Sequence, residues 1–185
     1  MADRSDERRM PKPVRVLIGT LVMALLVGGG LFYLTSRAGE WGVPYFRFTT
    51  PGGSTCTNQW AGHTCEEITE DDFAEWSHFA LPERTSIVEA KYTRTHDYSL
   101  HAVLRTEADP AAVDKAWQQI AKRFGRCQDM GVPPIEFVDH TEICLINSRL
   151  RPPETEGVPT GETWTVATAI APDGTRLTIM DIASR

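Results

Sequence analysis

Lysine is scarce in this chain. Four lysines stand against fifteen arginines, and 25 carboxylates outnumber the two together, giving a formal net charge of −6. From Ser36 onward there are 14 basic and 22 acidic residues. A surface of that sign excludes nucleic acid as a partner, because a phosphate backbone needs a basic face. It is also a poor match for anionic lipid headgroups. Arginine in such excess over lysine favours a bacterial source with a GC-rich genome.

Catalytic signatures are missing as well. No G-x-S-x-G, S-x-x-K, H-E-x-x-H or P-loop pattern occurs, which excludes the familiar nucleophile elbow, zinc-protease helix and phosphate cradle. There is no C-x-x-C and no H-x3-H, so neither a thioredoxin-like redox pair nor a zinc site is expected. The acidic run Glu66, Glu67, Glu70, Asp71 and Asp72 lacks the alternating ligands and glycine turn of a calcium loop. It reads as the solvated start of a helix. The five histidines are scattered: His96 and His140 each adjoin an aspartate in a turn, and His101 alternates away from Leu100 and Ala102. No catalytic residue, metal or cofactor is therefore assigned.

One long hydrophobic run is present. Val16–Leu34 carries nineteen residues and no charge. As a helix it covers ~28 Å, close to the ~30 Å hydrocarbon thickness of a bilayer. Five basic residues precede it, whereas Arg37 and Arg47 alone follow closely. By the positive-inside rule the amino end stays in the cytoplasm and the rest lies outside. Phe32, Tyr33 and Trp41 fall where an interfacial aromatic belt would lie. The competing reading is a cleaved signal peptide, with Ser36-Arg37-Ala38 as the small-x-small site. The apolar run exceeds the usual ~7–15 residues of a signal core, so retention as an integral membrane anchor is preferred. Thr20, Ala24 and Gly28 repeat every four residues on one helix face. That spacing lets membrane helices approach closely and offers a route to a homo-oligomer.

The predicted organisation is a cytoplasmic tail (1–15), a transmembrane helix (16–34), a stalk rich in glycine and proline (35–54) and one extracytoplasmic domain (55–185). All four cysteines lie in the last segment. In an oxidising compartment an even count reads as two disulfides, and the local pairing Cys56–Cys65 with Cys127–Cys144 closes the smallest loops.

Within the domain, Thr69 caps a helix whose Phe73, Trp76 and Phe79 face inward. Two strands follow, with Val88, Ala90 and Tyr92, then Leu100, Ala102 and Leu104, pointing to one side. Asp109 and Pro110 open a second helix. Its stripe of Val113, Ala116, Trp117, Ile120, Ala121 and Phe124 is continuous, and Gly125 is expected to close it in the left-handed conformation. Ile135–Val138 and Glu142–Asn147 are short strand candidates, and 149–161 is a loop. Trp164–Ile170 and the stretch holding Leu177 and Ile179 form a hairpin around Pro172-Asp173-Gly174. Helices with antiparallel hairpins give an α+β, two-layer domain.

The functional reading is a single-pass envelope protein whose domain binds or supports another envelope protein without catalysis. The cysteine-closed loop with Trp60 and His63 is a candidate protein contact. The alternative is an extracytoplasmic enzyme or small-ligand binder with a site built from scattered residues.

Overall fold

The computed structural model describes residues 12–128, 134, 137–148 and 161–184. Helix α1 (Lys12–Arg37) is long and apolar enough to cross a bilayer, and none of its apolar window is buried. It starts earlier than the apolar run. Pro13 lies in its first turn, where a missing N–H forfeits no helical bond. Among the described residues eight strands follow: β1 (Arg47–Thr49), β2 (Thr55–Gln59), β3 (Gly62–Glu67), β4 (Thr85–Arg94), β5 (Tyr98–Thr106), β6 (Thr141–Asn147), β7 (Glu162–Ile170) and β8 (Arg176–Ser184). Helix α2 (Glu70–Ser77) lies between β3 and β4, and α3 (Pro110–Phe124) between β5 and β6. The fold is α+β.

All strands join one antiparallel sheet in the order β1-β2-β3-β4-β5-β8-β7-β6. Two three-stranded meanders, β3-β4-β5 and β6-β7-β8, meet through their last strands, Leu100 opposite Ile182 and Ala102 opposite Met180. Each meander has a disulfide on its outer strand. Cys65 of β3 bonds Cys56 of β2, and Cys144 of β6 bonds Cys127. The segment from Cys56 to Cys65, expected as a loop, is a hairpin. Its strands carry Thr, Asn, Gln and His rather than alternating aliphatics, so periodicity gave no signal for them.

One face of the sheet is the core. Leu100, Ala102, Leu104, Val166, Met180 and Ile182 lie under Phe73 of α2 and Ile120 and Phe124 of α3. Thr69 and Asp109 accept the cap bonds of the two helices, as their sequence predicts. Helix α2 stops at Ser77 because His78 turns left-handed, so Phe79 reaches the core from beyond the helix. Gly125 closes α3 at φ 109° and ψ −164°, a positive-φ conformation that favours glycine but lies outside the expected αL well. Trp117 is half-buried and packs at the margin of the core, with the Arg176 guanidinium 5.7 Å from its ring centre. A bulge between Ile87 and Glu89 turns Val88 out to solvent.

Leu177 and Ile179 pack on the opposite face. There they meet Phe137, Ala167, Ala169 and Leu145 in a second, smaller cluster. Phe137 opens a short turn with Val138 and Asp139 instead of the predicted strand, while Ile135 and the loop at 149–160 lie outside the described residues.

Asp72 is buried, unlike the rest of its acidic run. It accepts from the Ser54 amide at 2.9 Å and from the Thr50 hydroxyl, pinning the 50–54 turn to the start of α2. Burial pushes its carboxyl upward, but the bonds from Ser54, Thr50 and Thr69 outweigh that and hold it below its ordinary value. A second buried polar knot joins both helices to β7. Arg123 donates to Glu162 at 2.8 Å and to the carbonyls of Ser77 and His78. Tyr98 donates to the same carboxylate at 2.7 Å, and burial followed by that carboxylate pushes the phenol well above its ordinary value.

Candidate functional site

Among the described residues the face opposite the helices is only partly covered, because the Phe137 cluster shields one end of β6, β7 and β8. What remains open is polar in a regular way. Side chains two apart along a strand share a face, and cross-strand partners stand side by side. The register therefore sets Lys91, His101, Asp181, Thr165 and Asn147 in one row across five strands. The next row holds Thr57, Thr64, Thr93, Ser99, Ala183 and Thr163 across six.

These rows floor a groove of about 480 Å³ over β4 to β8, lined by Lys91, Thr93, Ser99, His101, Thr163 and Asp181 among others. A second groove of about 330 Å³ lies over β1 to β4, with Arg47, Thr57, Thr64 and Glu66 in its wall. Lys91 belongs to both and pairs with Glu66 at 3.4 Å.

At the centre of the larger groove, His101 Nδ1 lies 2.7 Å from Asp181 Oδ1. Both side chains are substantially exposed. A carboxylate on Nδ1 favours the tautomer protonated there and makes Nε2 the basic nitrogen. The groove thus offers a base, a carboxylate, an ammonium and a set of hydroxyls that donate or accept. Such an array suits a ligand rich in hydrogen-bonding groups. Among the described residues, no group of three or more His, Cys, Asp or Glu could hold a metal ion, and no cysteine is free.

The residues singled out from sequence lie elsewhere. Trp60 is exposed on the β2–β3 turn, and its indole donates to the Tyr45 hydroxyl at 2.8 Å. His63 points to the core side, edge-on to Phe48 with ring centres 5.4 Å apart. Burial first, then the Arg94 charge, lowers its basicity. The structure does not bring Trp60 and His63 into one surface. Thr20, Ala24 and Gly28 stay exposed along α1, with nothing near a Cβ built at Gly28. Sequence reasoning missed the row through His101 and Asp181. Each was legible as the outward residue of its strand, since His101 sits between Leu100 and Ala102 and Asp181 between Met180 and Ile182. What joins them is the β5–β8 pairing, which no local pattern encodes.

No family model, curated protein or solved structure matches this chain. The site is read from its own geometry.

Proposed function

We propose that this chain is a single-pass envelope protein that holds a ligand-binding domain outside the cytoplasmic membrane. The disulfides and the apolar helix support that setting. The five basic residues ahead of the helix support an inward amino end.

The domain acts by binding, and the open polar sheet face is its seat. The observation that carries this is the row Lys91–His101–Asp181–Thr165 on the floor of the larger groove. The partner is another envelope component that presents hydrogen-bonding groups to that floor. Affinity purification from mild detergent, comparing wild type with Asp181→Arg and with a Thr163→Arg/Thr165→Arg pair, tests it. Both changes place a bulky cation in the groove and touch no core side chain. Loss of a partner with both is expected. An unchanged partner set with both would remove the groove from consideration.

The His101–Asp181 pair favours one further reading, acid–base chemistry on a ligand held in the groove. His101→Gln would then abolish turnover and leave binding intact. In a pure binding domain it changes affinity alone.

A further inference from the structure

We infer that the β2–β3 turn and the segment after α1 form an aromatic foot that rests in the lipid headgroup layer. The inference builds on the reading of α1 as a membrane span. Residues 38–49, expected within a stalk, are folded onto the domain instead. The Gly39 carbonyl accepts from the buried Asn58 amide at 2.6 Å. A Cβ at Gly39 would stand 1.8 Å from the Arg47 carbonyl oxygen, so this approach requires glycine. Asn58 also exchanges backbone bonds with the segment, accepting from the Tyr45 amide at 2.8 Å and donating to the Phe46 carbonyl at 3.0 Å. The outer end of β2 is thus pinned two residues from the end of α1, and Trp60 lies two residues beyond Asn58.

Three aromatic side chains surround that junction without cover. Trp60 is 81% exposed, Tyr45 72% and Trp41 56%. The Trp41 amide bonds the Arg37 carbonyl at 3.2 Å, one turn from the helix end. Tyr45 and Trp60 meet edge to face with ring centres 6.3 Å apart, joined by their hydrogen bond. Tyr45 holds φ 68°, a left-handed backbone that a bulky residue rarely adopts. In water that strain returns no packing, because the ring it positions faces outward. In a headgroup layer it does, since Trp and Tyr pair an apolar body with a polar edge and concentrate at that depth. Covalent continuity with the spanning helix, which ends at Arg37 just ahead of Trp41 and Tyr45, selects the bilayer as the occupant. The contact is made by aromatic rings, so it does not depend on anionic lipid, which the acidic domain would disfavour.

The test uses the full chain in phosphatidylcholine vesicles, with tryptophan emission as readout. The probes are phosphatidylcholine carrying a nitroxide near the headgroup end of its acyl chain, and aqueous iodide. Trp164 is buried and Trp76 and Trp117 are half-buried against the core, so Trp41 and Trp60, exposed beside the end of the helix, are the indoles expected to meet the lipid probe. Quenching by the lipid nitroxide is expected to fall in Trp60→Phe and in Trp41→Phe. It should vanish in the double variant and stay unchanged at high salt. If Trp60 is quenched by iodide and untouched by the lipid probe, while an alkaline wash leaves the chain in the vesicles, the foot is overturned and the span stands. Such a turn would face a protein instead. Release by the alkaline wash overturns the span and the foot together.

Discussion

The two faces of the sheet are built from the same strands and differ in use: one is sealed over a largely apolar core, and the other is polar beyond the Phe137 cluster. In β5, Leu100, Ala102 and Leu104 point one way and Ser99, His101 and Arg105 the other. In β8, Met180 and Ile182 oppose Asp181. The first face is sealed by α2 and α3. The second is covered at one end by Phe137 and open at the other. A sheet needs one buried face to fold, which leaves the second free for another use. Stability and the proposed binding are therefore separable by counting residues along a strand.

That separation can be broken or sharpened at four places. The largest effect is expected at Glu162, whose carboxylate has no solvent exposure and holds Arg123 and Tyr98. Glu162→Leu should cost ~3–5 kcal/mol in urea unfolding, because Arg123 is left buried without its partner. The double variant Arg123→Met/Glu162→Leu should recover much of that. A double variant as unstable as the single would show that the knot holds the helices by something other than charge pairing. Next comes Leu100→Ala on the sealed face, ~2–5 kcal/mol by lost burial and the cavity left behind.

Asp72→Asn should cost ~1–3 kcal/mol at neutral pH, by weakening buried bonds to the 50–54 turn. The sign with pH follows from a folded carboxyl held below its ordinary 3.8. Its contribution is complete above that value and disappears as pH falls through the lower, folded one. The urea midpoints of wild type and Asp72→Asn should therefore converge on acidification. A gap that persists at low pH would rule out the ionised form as the source. The smallest effect belongs to the open face. His101→Ala removes an exposed pair, 2.7 Å long, and should change stability by less than ~0.5 kcal/mol. A cost above about 2 kcal/mol would make the groove floor structural and dissolve the contrast.

Elements with a strong periodic stripe and a cap were legible before any coordinates. Helix α3 is the best case, from Asp109 and Pro110 to Phe124. The β7–β8 turn at Pro172-Asp173-Gly174 is another, closed by the Ala171–Thr175 bond at 2.8 Å. Both disulfides follow from loop size. The β2–β3 hairpin was not legible, because Thr, Asn and Gln on its strands look like a loop. Nor was the place of Trp117, since a stripe about 100° wide has margins and Trp117 is on one. Arg176 makes the same point in reverse. It is a buried arginine on a core-facing position of β8, donating to Thr168 at 3.3 Å. The candidate groove is least legible of all. Its residues come from strands paired across about eighty positions, and only the assembled register puts them side by side.

The position of β8 has a consequence for the order of folding. It follows every other strand in the sequence, yet it lies between β5 and β7 at the seam of the two meanders. Until it arrives, β5 and β7 both present bare edges, and each is a template for pairing with another chain. A polypeptide synthesised amino end first cannot close this sheet piecemeal. The outer hairpins and their disulfides can form early, but the middle waits for residues 176–184. During that interval the half-made domain carries two sticky edges, and this is when it most needs protection from its own copies.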